Sequence, residues 1–171
     1  NAIDPKKDVD GVHSLNAGLL AQGAPCMIPP TAYACIQILK YYDIEIKGKN
    51  AVVVGRSASV GRPLAQLLVN ENATVTVCHS KTKNLTELTK QADILVCAIG
   101  KAKFVTKDMV KENAVVIDVG INRNEEGKVC GDVDFEEVSK KVSYITPVPG
   151  GVGPMTIAML MHNIVKAANC K

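Results

Sequence analysis

Short, mostly apolar runs recur through the middle of the chain at Val52 to Val54, Thr74 to Cys78, Ile94 to Ala98, Ala114 to Val119 and Ser143 to Thr146. Continuous β-branched runs suit strands buried on both faces, as in a parallel sheet covered by helices. Between them the periodicity turns helical. An amphipathic stretch follows Gly61, residues 84 to 90 have helix-compatible spacing, Thr106 is placed to cap a short helix through Val110, and Asp134 to cap another running into Lys140. The alternation β-α-β-α predicts an α/β fold: an open, mostly parallel, doubly wound Rossmann-type sheet with right-handed crossovers and strand order 2-1-3-4-5. Residues 125 to 132 read as a small hairpin or excursion beside the last crossover.

Both ends depart from this pattern. Residues 1–48 hold a charged KKDVDG stretch, a short helix near Leu15 to Leu20 ended by Gly23, and a helix that starts at Pro29 and Pro30 and runs through Tyr42, with no core of their own. The last helix, from Pro154 to Ala168, spreads Met155, Ile157, Met159, Leu160, Met161, Ile164 and Val165 around most of its circumference. Such a helix needs cover on several sides, so another subunit or a further domain is implied. The expected organisation is a linker segment and domain end at 1–48, a dinucleotide-binding domain at 49–150, and a helix at 151–171 that returns to a preceding domain.

Candidate chemistry concentrates in AVVVGRSASVGRPLAQLLVNENATVTVCHSKT, residues 51–82. Gly55 stands where the chain leaves its strand, and Gly61 lies near the start of the next helix, where outward-pointing amides favour a phosphate. The spacing Gly55-x-Ser57-x-x-x-Gly61 departs from G-x-G-x-x-G by a serine and one extra residue, so these glycines also fit a plain strand-to-helix turn. The second strand ends in His79, Ser80, Lys81 and Thr82, without the acid that reads a free ribose 2′-hydroxyl. Arg56, Ser80 and Lys81 together suit a 2′-phosphate through charge-assisted hydrogen bonds, which favours NADP over NAD; as ordinary solvated loop residues they would need no ligand.

Composition narrows the field. A length of 171 residues with 47% hydrophobic content suits one domain with a sizeable core, and is too short for two full ones. A net charge of +3, four Tyr, two Phe and no Trp give little footing for nucleic acid. The six cysteines lack C-x-x-C spacing, and Cys78 and Cys97 fall inside predicted strands, where cysteine behaves as a small apolar residue. A reducing compartment follows, and with no long apolar span or signal-like start the expectation is a soluble protein of the cytoplasm or an organelle matrix, with no membrane partner. His13, His79 and His162 share no ligand spacing, so no metal is expected.

Three motifs give the chain a specific likeness: KDVDG (Lys7 to Gly11), VVVGRSxxVGxP (Val52 to Pro63) and ITPVPGGVGPMT (Ile145 to Thr156), with the GIN triplet Gly120 to Asn122 and the CHSKT run from Cys78 in agreement. Over essentially its whole length the chain resembles the C-terminal, NADP-binding part of the bifunctional methylenetetrahydrofolate dehydrogenase/methenyltetrahydrofolate cyclohydrolase family. The resemblance implies oxidation of 5,10-methylenetetrahydrofolate by NADP, hydrolysis of the methenyl product to 10-formyltetrahydrofolate, and a homodimer. Carried over by position, Gly55, Arg56, Ser57, Val60 and Gly61 form the cofactor turn, Ser80 with Arg56 meets the 2′-phosphate, and Ile121 and Thr146 flank the nicotinamide end. Asp10 faces the pterin, and Pro149, Gly150, Gly151 and Val152 line the folate cleft. Plainer readings are a solvated loop acid for Asp10, a core residue for Ile121, and a turn before a helix beginning at Pro154 for the glycine pair.

The resemblance also implies that something lies elsewhere. The family's general acid/base is a lysine in a Tyr-x-x-x-Lys motif on a preceding folate-binding domain, and that motif does not occur here, so no catalytic residue is assigned in this chain. A start without Met fits the nucleotide-binding half of a longer enzyme. Where the family reads P-C-T-P-x-G, this chain has Pro29, Pro30, Thr31, Ala32, Tyr33 and Ala34, which preserves the helix start but alters its packing surface. Two further readings stand beside this one: another NADP-dependent dehydrogenase of the shikimate or amino-acid type, and a non-catalytic dinucleotide-binding and dimerisation module.

Overall fold

The computed structural model describes residues 2–169. Its centre is a parallel sheet of β1 (Asn50–Val54), β2 (Thr74–Cys78), β3 (Ile94–Cys97), β4 (Val115–Asp118) and β7 (Tyr144–Ile145), in the order β2-β1-β3-β4-β7. That is the predicted 2-1-3-4-5 winding, with a separate antiparallel pair, β5 (Asn122–Arg123) and β6 (Val129–Cys130), inserted before the last strand.

Alternation along the central strands sends side chains to opposite layers. Ala51, Val53, Ile94, Val96 and Ile117 face α2 (Pro30–Tyr41) and α3 (Gly61–Asn70), while Val52, Val54, Leu95, Cys97 and Val116 face a second layer with Val105, Val110, Val133 and Val138. Each fully buried Val, Leu or Ile contributes about 1.5–3 kcal/mol of hydrophobic stabilisation, so this two-sided burial anchors the fold. β2 lies at the edge; its Thr74, Thr76 and Val77 are exposed and only Cys78 is buried.

The N-terminal segment shares the sheet's core. Leu20, Cys26, Ala34, Cys35, Ile38 and Leu39 join the cluster that contains Val53, Leu64 and Ile117. α1 (Ser14–Ala21) is capped by His13 and closes at Gly23, whose φ of 68° lets the Ala24 amide reach back to Leu19 O at 2.9 Å. α6 (Val152–Asn169) packs along α2 and is tied to the N-terminal strap: Asn163 Nδ2 donates to Val9 O at 2.7 Å and to Ile28 O at 2.8 Å, and Lys166 Nζ to Cys26 O at 2.7 Å. Its other side, Ile157, Met161, Ile164 and Val165, is exposed.

Several predicted boundaries move. The helix before β3 is α4 (Leu85–Thr89), preceded by Asn84 in the left-handed region at φ 54° with no side-chain cap. The Thr106 segment forms only a 3₁₀ turn, Lys107–Met109, and its hydroxyl makes no cap bond. Asp134 likewise does not cap α5 (Phe135–Val138), which stops short of Lys140. Without a side-chain oxygen on the orphan amides of the first turn, these short helices lack what would lengthen them. α6 begins at Val152, so Pro154 sits inside the first turn rather than at its first position. Among the described residues no helix is long and apolar enough to cross a membrane, and no group of three His, Cys, Asp or Glu side chains is arranged to hold a metal ion.

Candidate dinucleotide and substrate cleft

At the carboxyl end of β1 the backbone and one serine side chain set the shape. Gly55 adopts φ 128°, and a Cβ built there would overlap the Ala98 carbonyl oxygen. A Cβ on Gly61 would overlap the carbonyl oxygen of Gly55, so the start of α3 presses directly on the strand end. Ser57 explains the irregular spacing. Its Oγ accepts from the amides of Val60 at 3.2 Å and Gly61 at 3.3 Å, while its carbonyl accepts from Arg62 N at 3.1 Å.

This changes the expectation for Gly61. Its amide, like that of Val60, is committed to the serine and does not point outward to a phosphate. The amides of Arg56, Ser57, Ala58 and Ser59 are the open ones: among the described residues none accepts from them, and all four residues are exposed. A run of unused amides beside a glycine-only approach fits a dinucleotide pyrophosphate.

β1 and β2 remain in register to their ends, where Gly55 N donates to Cys78 O at 2.9 Å. The exposed Arg56 and the exposed Ser80 and Lys81 therefore leave adjacent strands on the same edge. The second turn is fixed locally: His79 N donates to Thr82 Oγ1 at 2.8 Å, Thr82 N to His79 O at 2.8 Å, and Lys81 N to His79 Nδ1 at 3.1 Å. Burial pushes the Cys78 thiol up, against a smaller opposing hydrogen bond from Thr82. It behaves as a packed apolar residue.

Around the carboxyl ends of β3 and β4 the sequence reading missed two acids, Asp118 and Asp132. Asp132 is fully buried and accepts from the amides of Ile99 at 2.7 Å, Gly100 at 3.1 Å and Lys101 at 2.8 Å, and from Asn122 Nδ2 at 2.9 Å. Asp118 is also buried and accepts from the amides of Gly120 at 2.9 Å, Asp132 at 3.0 Å and Val133 at 2.9 Å. Burial raises the Asp118 carboxyl above its ordinary value; the three amide bonds oppose this and the charge of Asp132 adds to it. The available signal was an acid ending the apolar run AVVID, echoed by GDVD at residues 131–134. Cβ atoms on Gly120 and Gly131 would overlap Asp132 and Asp118 respectively, which accounts for both glycines.

A cleft of about 560 Å³ opens beside this pair. Pro149, Gly150, Gly151 and Val152 line it together with Ile121, which is 75% exposed and so is no core residue. A Cβ on Gly151 would overlap Pro147 O, and Gly150 sits at φ 101°, so the loop before α6 requires both glycines. Thr146 does not line this cleft directly: its Oγ1 accepts from Asp118 N at 2.8 Å, and it lines an adjoining apolar cavity of about 440 Å³ with Tyr42, Tyr144 and Met155, which shares Pro147, Gly150 and Gly151 with the larger one.

The two acids of KDVDG part company. Asp8 is buried and accepts from Asn16 Nδ2 at 2.8 Å, His13 N at 2.8 Å and Val12 N at 3.2 Å. Burial alone would raise its carboxyl, but those bonds and the nearby His13 outweigh it and hold it below the ordinary value. Asp10 is exposed and lines a smaller cleft with Pro29, Ser59 and Thr156; that cleft shares Thr31, Thr156 and Ile157 with the larger one. The fold thus gathers Asp10 and Ser59 of the Gly55–Gly61 turn around a small cleft that adjoins the one lined by Ile121 and the Pro149–Val152 loop.

Residues 29–171 match the NAD(P)-binding domain of the tetrahydrofolate dehydrogenase/cyclohydrolase family. A bifunctional protein FolD of Streptococcus thermophilus is 61% identical over 167 residues, covering 98% of this chain and 59% of that protein. The crystal structure of the FolD methylenetetrahydrofolate dehydrogenase/cyclohydrolase of Campylobacter jejuni superposes with a TM-score of 0.96 at 56% identity, over 97% of this chain and 59% of that one. The Trypanosoma brucei dehydrogenase-cyclohydrolase, solved with NADP cofactor and inhibitor, superposes with a TM-score of 0.90 at 40% identity, over 96% and 59%. The chain therefore spans about 59% of the length of these relatives. With the sheet order, the glycine-only turn and the matched motifs agreeing, this chain belongs to the tetrahydrofolate dehydrogenase/cyclohydrolase family.

Proposed function

We propose that the chain is the NADP-binding part of an enzyme that oxidises 5,10-methylenetetrahydrofolate to the methenyl form and hydrolyses that product to 10-formyltetrahydrofolate. The observation that carries this reading is the turn at the end of β1, with unused amides from Arg56 to Ser59 beside the close approach of Gly61 to Gly55. Those amides would hold the pyrophosphate. Arg56, Ser80 and Lys81 would take the 2′-phosphate, and no acid in the turn after β2 opposes it. When bound, NADP supplies the hydride acceptor.

The chain's own residues bind and orient. Ile121 offers an exposed apolar surface in the crevice, Pro149 to Val152 line the same cleft, and Asp10 presents a carboxylate at the neighbouring rim. Holding two reacting groups at a fixed approach is the part of catalysis such walls perform. The proton-transferring lysine belongs, in this reading, to a preceding folate-binding half. Residues 1–48 and 151–171 join that half to the cofactor domain at 49–150, and the exposed face of α6 at Ile157, Met161, Ile164 and Val165 is apolar surface for it to cover. A cytoplasmic homodimer completes the proposal.

Calorimetric titration of the chain with NADP and NAD, followed by assays of methylenetetrahydrofolate oxidation with and without an added folate-binding half, tests it. Binding of NADP more tightly than NAD, with turnover only when the second half is present, is the expected result. Absence of NADP binding would overturn the cofactor assignment, and cyclohydrolysis by the chain alone at a normal rate would overturn the placing of the acid/base. NADP binding with no turnover after supplementation would favour a non-catalytic module.

A further inference from the structure

The buried pair Asp118 and Asp132 takes no part in the chemistry just described, yet its arrangement is costly. Two carboxylates are withdrawn from water close together, no Lys, Arg or His pairs with either among the described residues, and seven N–H groups satisfy them instead. Taking a carboxylate out of water costs several kcal/mol even after relaxation. An apolar plug would hold three loops together at lower cost, so what the carboxylates add is a defined set of donor positions.

The donors bracket one residue. Gly120 N is bound to Asp118 Oδ1 at 2.9 Å, and Asn122 Nδ2 to Asp132 Oδ1 at 2.9 Å. Between them stands Ile121, exposed on the wall of the 560 Å³ cleft with nothing in the core to hold it. The same Asp132 carboxylate fixes the backbone of Ile99, Gly100 and Lys101 after β3, so the loops following β3 and β4 share one anchor. We propose that Asp118 and Asp132 are positioning residues: Asp118 through Gly120 and Asp132 through Asn122 hold Ile121 in advance at the height where a nicotinamide ring packs. This inference rests on the cofactor reading above. The bracket acts on the nicotinamide end alone, because the adenosine end is built from the Gly55–Gly61 and His79–Thr82 turns.

The test compares two probes in the full-length protein: NADP, and 2′-phospho-ADP-ribose, which lacks the nicotinamide. Asn122→Ala removes the outer arm of the bracket and leaves the three amide bonds of Asp132 in place. The expected result is a rise of about tenfold in Kd for NADP and a change of less than twofold for 2′-phospho-ADP-ribose, with KM for the cofactor rising more than kcat falls. A loss of affinity for neither probe, or an equal loss for both, would overturn the proposal. If the unmodified protein binds neither probe, the cofactor reading itself fails, which is a different result. Hydrogen exchange on the unmodified protein is independent of any variant's folding. Amides 99–101, 120, 132 and 133 should be protected without ligand and gain less than threefold on adding NADP, whereas protection appearing only with NADP would show that the bracket is not preformed.

Discussion

The two ends of the crevice are built on opposite principles. At the end proposed for the adenosine, contacts are local: Ser57 closes the turn onto Val60 and Gly61, three and four residues away, and His79 closes the other onto Lys81 and Thr82. The candidate ligand groups Arg56, Ser80 and Lys81 remain exposed. At the opposite end, contacts are distant in sequence: Asp132 reaches back 31 to 33 residues to the loop after β3, and Asp118 reaches 14 and 15 residues forward. There the anchors are buried, and Ile121 is presented to the cleft. In the proposed reading, the groups that would meet the phosphate are left exposed, whereas the apolar Ile121 that would meet the nicotinamide ring has its flanking residues held by buried carboxylates.

The sharpest way to break this contrast is to fill one of its glycine gaps. Gly131→Ala would drive a Cβ into the Asp118 carboxylate at the buried end and should destabilise the protein by about 3 kcal/mol or more, read as a lowered urea midpoint. A neutral outcome would mean that the carboxylate relaxes freely and is no anchor. Arg56→Ala tests the other end and should leave the urea midpoint within about 0.5 kcal/mol. It should nevertheless weaken NADP by about 1.5–3 kcal/mol, roughly ten- to a hundredfold, with little change for NAD, as isothermal titration would report. Equal losses for both cofactors would remove the 2′-phosphate from the assignment.

The smallest effect is one of slope. Because the folded Asp118 carboxyl titrates above its ordinary value, the folded state binds more protons than the unfolded state between the two values. Stability from this group therefore falls as pH rises through that window. Asp8 has the reverse sign: its folded value is lowered, so its contribution is full above the ordinary carboxylate value and is lost as pH falls through the folded one. Urea unfolding across the acid range should show Asp118→Asn removing the falling component and Asp8→Asn removing the rising one. The same direction of change in both variants would contradict the opposed environments.

Much of the framework was legible in advance, for identifiable reasons. The runs at Val52–Val54 and Ile94–Cys97 are apolar at every position because both faces of those strands are covered, and with the alternation of strands and helices this pointed to a doubly wound parallel sheet. Short helices were less legible. Thr106 and Asp134 have cap-forming side chains, yet neither hydroxyl nor carboxylate turns to the helix amides, and the elements end early. In the candidate site, Gly55 and Gly61 announced a tight turn, but the commitment of the Gly61 amide to Ser57 depends on a side-chain direction that spacing does not encode. KDVDG offered two acids at alternate positions, and only packing separated the buried, saturated Asp8 from the exposed Asp10.

By itself the sequence determined the alternation of strands and helices, the glycine positions where no side chain fits, and the family likeness, since each is carried by residue type and short-range spacing. Only the tertiary structure decided which amides stay open to a ligand, that Asp118 and Asp132 meet beneath Ile121, and that Thr146 turns to Asp118 rather than to the larger cleft. The reason is physical. A hydrogen bond between groups 14 to 33 residues apart forms only after the sheet has brought its strand ends together, and no local pattern records which donor a buried carboxylate will then find.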